Sequence, residues 1–423
     1  MNKQNPQLLT NLAALESAVV EIVSASPVVD MHTHLFPPSF GALSLWGIDE
    51  LLTYHYLIAE LFRSSPITPS EFQAMPKPEQ ADRIWLALFV ENTPLSEATM
   101  GVCTVLSSLG LDPRAPDLRE ARAYFADQTP EGFLDLALST AGVSSVVMTN
   151  DPLDPAEAAL WEAGAPADPR FHAAMRTDAI LNDWPGAAAK LSAGGYPASA
   201  AIDAASLASV RRFLEAWIDR LNPLYLAVSL PDDFAWPEHS PRARLIAEAL
   251  APVCRERGLP FAMMIGVRRA VNPALGLAGD GLGRADVSVV TRLCAAYPDV
   301  RFLVTMLSRE NQHELCVAAR KFANLMPFGC WWFLNNPSII AEMTAERIEL
   351  LGASFIPQHS DARVLDQLLY KWPHSRRVIA DALVDAYHRL LFAGRPVARD
   401  EISRDVTRLL RGNFEGIVGR VTP

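Results

Sequence analysis

Short apolar runs, each followed by a stretch with helical spacing of apolar residues, recur along the chain. The runs are VVDMHTH (28–34), SSVVMTN (144–150), FHAAMRT (171–177), YLAVSL (225–230), FAMMIG (261–266), RFLVTML (301–307), LMPFGCWWF (325–333) and SFIPQHSD (354–361). Continuous apolar runs of this length suit strands buried on both faces, as in a parallel sheet. FAMMIG is the most ambiguous of them, because a Met-rich run also suits a buried helix segment. Strands alternating with helices predict an α/β chain, specifically a (β/α)8 barrel over residues 1–423 as one domain. Leu8, Leu12, Leu15, Val19 and Ile22 recur at helical spacing and predict a helix ahead of the first strand.

The alternation is interrupted once. Residues 35–143 separate the first strand from the second and read as helical, with DELLTYHYLIAELFR (49–63) amphipathic and TPSEFQAM (68–75) carrying a helix-start signal. This segment is expected to be a helical insertion on the catalytic face of the barrel.

Composition narrows the classes of function. The chain has 423 residues, half of them apolar, which is ample for a large core. Its net charge of −11 argues against a nucleic-acid partner or an anionic membrane surface. An anionic substrate would therefore need a local cluster of arginines. The five cysteines are scattered without a CxxC pair and read as reduced core thiols. The N-terminus lacks a continuous apolar block, and no run of about 20 apolar residues occurs, so a cytoplasmic location without a membrane span is expected. A homo-oligomer is compatible with the sequence, which does not specify one.

Barrel enzymes build their sites at the C-terminal ends of the strands. Here those ends carry His32 and His34, then Arg176, Trp331 and Trp332, and finally His359, Asp361 and Arg363. Side chains two apart on a strand share a face, so His32 and His34 point together. Strands one and eight become neighbours on closure, which brings Asp361 to the two histidines. Two imidazoles and a carboxylate suit one divalent metal, zinc first, with manganese, iron or cobalt as alternatives, and they leave a position open. None of the five lysines falls at a predicted strand end, and neither the fifth nor the sixth strand holds a histidine, so a bridged two-metal site is not expected. Arg176 and Arg363 can pair with a carboxylate through the guanidinium fork. One of Trp331 and Trp332 can cover the apolar face of a sugar. His55 and Tyr56 lie on the amphipathic stretch of the insertion, and His359 shares a face with Asp361.

These residues sit in long stretches with a family resemblance. DMHTHLF together with SFIPQHSDARVLDQLLYKW resembles the amidohydrolase superfamily and, within it, the shorter branch of the uronate isomerase (glucuronate isomerase) family. The likeness runs through IDELLTYHYLIAELFR, SVVMTNDP, RFHAAMRTD, PFAMMIGVRR, FLVTMLSRENQHELCVAARKFANLM and FGCWWFLNNP. It implies a (β/α)8 barrel that interconverts D-glucuronate with D-fructuronate and D-galacturonate with D-tagaturonate. By position it implies metal ligation by His32, His34 and Asp361, and substrate handling by Tyr56, Arg176 and Arg363. Met264 stands where the longer branch has a fifth-strand histidine.

The chemistry implied is proton transfer between adjacent carbons through an enediol. It needs a base, for which Asp361 is the candidate, and stabilisation of an oxyanion, for which Arg363 and the metal are candidates. Tyr56 or His34 could shuttle a hydroxyl proton, and Arg176 could hold the substrate carboxylate, with His55, His359, Trp331 and Trp332 as further substrate contacts. Two other readings use the same parts: a metal-dependent hydrolase or decarboxylase of the superfamily, and a non-catalytic sugar-acid-binding protein. The absent histidines and the arginine pair count against the first, and a requirement for Asp361 would exclude the second.

Overall fold

The structure, a computed structural model, describes residues 8–164 and 168–419. Seven parallel strands hydrogen-bond in chain order: β1 (Val28–Thr33), β2 (Val143–Asn150), β3 (Phe171–Arg176), β4 (Leu226–Pro231), β5 (Phe261–Arg268), β6 (Phe302–Met306) and β7 (Leu325–Pro327). The ambiguous Met-rich run is thus a strand, β5. Its register places Met264 beside Ser229 of β4 and Thr305 of β6.

The eighth segment closes the curled sheet without forming a regular strand. On one side Phe328 and Ile356 make a single parallel bridge. On the other, Asp361 N–H donates to His32 O at 3.1 Å and His34 N–H donates to Ala362 O at 2.7 Å. The expected strand over 354–361 fails for two local reasons. Pro357 has no N–H for a ladder, and Asp361 has φ 51°, outside extended backbone. The seventh run is likewise shorter than expected. It ends at Pro327, and a 3-10 turn at Trp332–Leu334 follows. Leu8, expected in the first helix, instead pairs with Ala398 in a two-stranded antiparallel patch, and the helix α1 begins at Leu12 and ends at Ala25.

Between β1 and β2 the chain is helical, as its periodicity predicts. The first pieces are α2 (Ile48–Leu52), α3 (His55–Ser64) and α4 (Pro69–Gln73). The start of α4 is a complete capping box, in which Glu71 N–H donates to Thr68 Oγ1 at 3.3 Å and Thr68 N–H donates to Glu71 Oε2 at 2.8 Å. Asp366 anchors the start of α2, accepting from Gly47 N–H at 2.9 Å, while its other oxygen is buried without a partner.

Apolar residues separate into layers. Inside the curled sheet, Met31, Val147, Ala174, Ala227, Met264, Leu303 and Phe328 form one cluster, and Phe414 from a C-terminal helix packs against it. A second cluster joins the insertion helices to α1 and to a 25-residue helix, α5 (Leu368–Phe392). Truncating a buried leucine in such layers typically costs about 2–5 kcal/mol. Among the described residues no helix is long and apolar enough to cross a membrane.

Candidate active site

β1 delivers His32 and His34 to one end of the sheet, with a register shift between Asp30 and Thr33. The closing segment delivers Asp361. Its Oδ1 stands 3.4 Å from His34 Nε2 and 3.8 Å from His32 Nε2. These three donor atoms lie within 4.8 Å of one another. Ligand atoms held about 2.0–2.2 Å from a tetrahedral ion stand roughly 3.4 Å apart, so the spacing fits a metal.

The tautomers fit as well. Tyr225 O–H donates to Met31 O at 2.6 Å, so its oxygen is left to accept from His32 Nδ1 at 3.1 Å. Thr149 O–H donates to Thr33 O at 3.0 Å, so its oxygen accepts from His34 Nδ1 at 2.8 Å. In both histidines the proton sits on Nδ1, and the Nε2 lone pair faces the Asp361 oxygen. His32 Nε2 and Asp361 Oδ1 are buried with no hydrogen-bond partner. Buried polar atoms without partners are costly, and a shared cation is what this donor set would accept.

Electrostatics agree. Burial pushes the His32 pKa down to about 3. Burial, then the Arg363 charge, pushes His34 down to about 4. Burial works against ionisation of Asp361, but the proximity of His34, His32 and His359 outweighs it and lowers its pKa below the ordinary range. Neutral imidazoles beside a carboxylate are the protonation states a metal requires.

A cavity opens above this cluster. His34 and Asp361 reach it, together with Arg176, Arg363, Met264, His55, Trp331 and Trp332. Arg176 donates from Nε to Asp178 Oδ2 at 3.2 Å. Burial opposes its charge, but Asp178 outweighs that and holds the pKa above the ordinary arginine value. Three arginines (Arg176, Arg269, Arg363) and two carboxylates (Asp280, Asp361) line the cavity, with Asp178 paired to Arg176 beside it.

Seen from the curated sequences and family models, neither a family model nor a curated protein matches the chain. Solved structures do match. A uronate isomerase from Bacillus halodurans C-125 is 53% identical, with 98% of each chain covered and a TM-score of 0.96. The chain belongs to the uronate isomerase family.

The isomerase also superposes on a uronate isomerase from Thermotoga maritima, at 15% identity over 99% of this chain and all of that one, with a TM-score of 0.76. A glucuronate isomerase from Caulobacter crescentus gives 16% identity over 99% and 97%, with a TM-score of 0.77. At those identities the likeness is one of fold.

Not every sequence-predicted residue of the isomerase lies on the Asp361 cavity. Tyr56 lines an adjoining cavity with Glu60 and Glu97, and His55 and Trp332 border both spaces. The Tyr56 hydroxyl is buried, and its ring lies 4.8 Å from that of Tyr54. His359 is fully buried below the cavity, its ring 5.4 Å from that of His32. Gly329 has φ 63°, and a Cβ there would stand 1.7 Å from His359 Nδ1, so only glycine admits this ring. Sequence reasoning missed Tyr225, Thr149, Asp178, Arg269 and Asp280. Arg269, in the stretch PFAMMIGVRR just past β5, had the clearest signal, a basic residue beyond a strand end. The hydroxyls and Asp178 act through other side chains and leave no pattern in sequence.

Proposed function

We propose that the isomerase interconverts D-glucuronate with D-fructuronate, and D-galacturonate with D-tagaturonate, through an enediol. The observation that carries this reading is a carboxylate and two neutral histidines beneath a cavity lined by three arginines. Arg176 would hold the substrate carboxylate by its free guanidinium nitrogens while Asp178 fixes the side chain. Asp361 would take the proton from C2. Its Oδ1 faces the histidines, which leaves Oδ2 for the substrate. A carboxylate with a depressed pKa is a weak base, so the transfer needs stabilisation of the enediolate oxygens. Arg363, which lines the same cavity as Asp361, would supply it.

His32, His34 and Asp361 would hold one divalent metal, zinc first. When bound, such an ion adds positive charge beside the substrate oxygens. Tyr56 would move the hydroxyl proton between O1 and O2, because both ring nitrogens of His34 are committed, Nδ1 to Thr149 and Nε2 to the ligand set. His55, Trp331 and Trp332 would form the wall against which the sugar lies, with His359 supporting His32 from below. The insertion contributes His55 and Tyr56, which supports placing 35–143 on the catalytic face of a single domain spanning 1–423.

Proton NMR of the protein with D-glucuronate in D2O tests the reading. Conversion should be accompanied by deuterium at the migrating position. No conversion of either hexuronate by metal-replete protein would refute it.

A further inference from the structure

Asp361 occupies a left-handed backbone conformation, φ 51°, at the point where the sheet closes. A non-glycine residue stays in that region only when its surroundings over-determine it. What over-determines it is visible one residue earlier. The Ser360 backbone is gripped on both sides of its Cα. Its N–H donates to Asp30 Oδ1 at 3.0 Å, and its C=O accepts from Lys371 Nζ at 2.7 Å. Asp30 is held in turn by Trp372, whose Nε1–H donates to Oδ2 at 2.8 Å. All four residues are buried. Ser360 Oγ also accepts from Ala362 N–H at 3.2 Å, on the far side of Asp361.

The chemistry of the grip is directional. Each bond favours the polarity of its own peptide group, the Asp30 carboxylate on the N–H of the 359–360 peptide and the Lys371 ammonium on the C=O of the 360–361 peptide, and hydrogen bonds to ionised groups are about twice as strong as neutral ones. Lys371 begins the second turn of a helix whose outer face reaches solvent, yet its ammonium is turned inward to a single carbonyl. Asp30 lies on the same strand as His32, so the strand that presents the histidines also sets the peptide that presents the carboxylate.

We propose that Asp30 and Lys371 are positioning residues, which clamp the two peptide groups flanking Ser360 and so aim the Asp361 carboxylate at the substrate carbon. This rests on the role assigned above to Asp361. It assigns the clamp no contact with substrate and no proton.

Misplacing a reacting group by about 1 Å can cost on the order of 10²-fold in rate. Lys371→Met and Asp30→Asn should therefore each lower kcat on D-glucuronate by about 30-fold or more, with KM within about threefold of the parent. Because both act through the backbone of one residue, the double variant should be about as slow as the worse single one. Urea unfolding of each variant gives stability separately from rate. Three results would overturn the proposal: kcat within threefold of the parent in folded protein, losses that multiply in the double variant, or a loss confined to KM. Should Lys371→Met or Asp30→Asn not fold, Trp372→Phe removes only the indole N–H on Asp30 and keeps the packing. It should lower kcat about three- to tenfold at constant KM, and an unchanged kcat would overturn the clamp. The parent protein is the control for the reading beneath it: if the parent does not turn over hexuronates, the assigned reaction fails, whereas an active parent with insensitive variants removes the clamp alone.

Discussion

Tyr225→Phe removes one oxygen, and its consequences can be worked from the structure. The hydroxyl accepts from His32 Nδ1 at 3.1 Å and donates to Met31 O at 2.6 Å, deep inside the sheet. Phenylalanine fills almost the same space, so no large cavity opens. Two buried polar groups lose their partner, at about 1–3 kcal/mol each before relaxation. His32 can escape part of this by moving its proton from Nδ1 to Nε2, where it would face Asp361 Oδ1. That tautomer cannot ligate through Nε2. Loss of an outer hydrogen-bond partner of a metal-binding histidine typically costs 10–100-fold in affinity, or about 1.4–2.7 kcal/mol. Competition for Zn²⁺ against a chromophoric chelator measures the affinity, and urea unfolding of the metal-free protein measures the stability. The expected outcome is a 10–100-fold weaker site in a folded protein. Affinity within twofold of the parent would refute the argument that Tyr225 sets the His32 tautomer.

Three further outcomes are expected. Arg176→Met should lower kcat/KM for hexuronates severely, since an unpaired buried charge costs about 2–5 kcal/mol, with less discrimination against a neutral hexose; equal losses on both sugars in steady-state assays would remove Arg176 from carboxylate recognition. Asp361→Asn keeps size and loses basicity, so isomerisation and C2 exchange should fall together by about 10²–10⁴-fold; exchange at the parental rate by NMR would assign the base elsewhere. Asp366 is pushed by burial from 3.8 up to about 7, so its contribution to stability is full below about pH 4 and is lost as pH rises through about 7. Asp366→Asn should therefore gain stability over the parent at pH 8, by up to on the order of 4 kcal/mol, with the gain fading towards pH 4; a pH-independent difference in urea unfolding would contradict the buried ionisation.

Strand positions were legible because residues buried on both faces make continuous apolar runs, and β1 to β7 all begin within one or two residues of such a run. The closing segment was not, since a proline and a left-handed aspartate interrupt the ladder where the run looks uniform. His32, His34 and Asp361 could be assembled from strand alternation and barrel closure alone. Lys371 could not. It lies on a helix, ten residues past Asp361, and its inward turn depends on a carbonyl exposed only by the failed strand. Tyr225 read as the start of an apolar run, and nothing in sequence says that its hydroxyl reaches across to β1.

The arginines in the cavity have a kinetic side. A hexuronate approaching from a distance meets a chain of net charge −11 and is repelled. Only at the cavity does it meet the guanidinium groups of Arg176 and Arg363. Salt separates the two ranges, because the screening length falls from about 30 Å at 0.01 M to about 8 Å at 0.15 M. Raising ionic strength through that interval suppresses the distant repulsion first and leaves the enclosed pairing largely in place. Capture of the anion should then become faster as salt is added, the opposite of the behaviour of an enzyme that draws its substrate in by its overall charge.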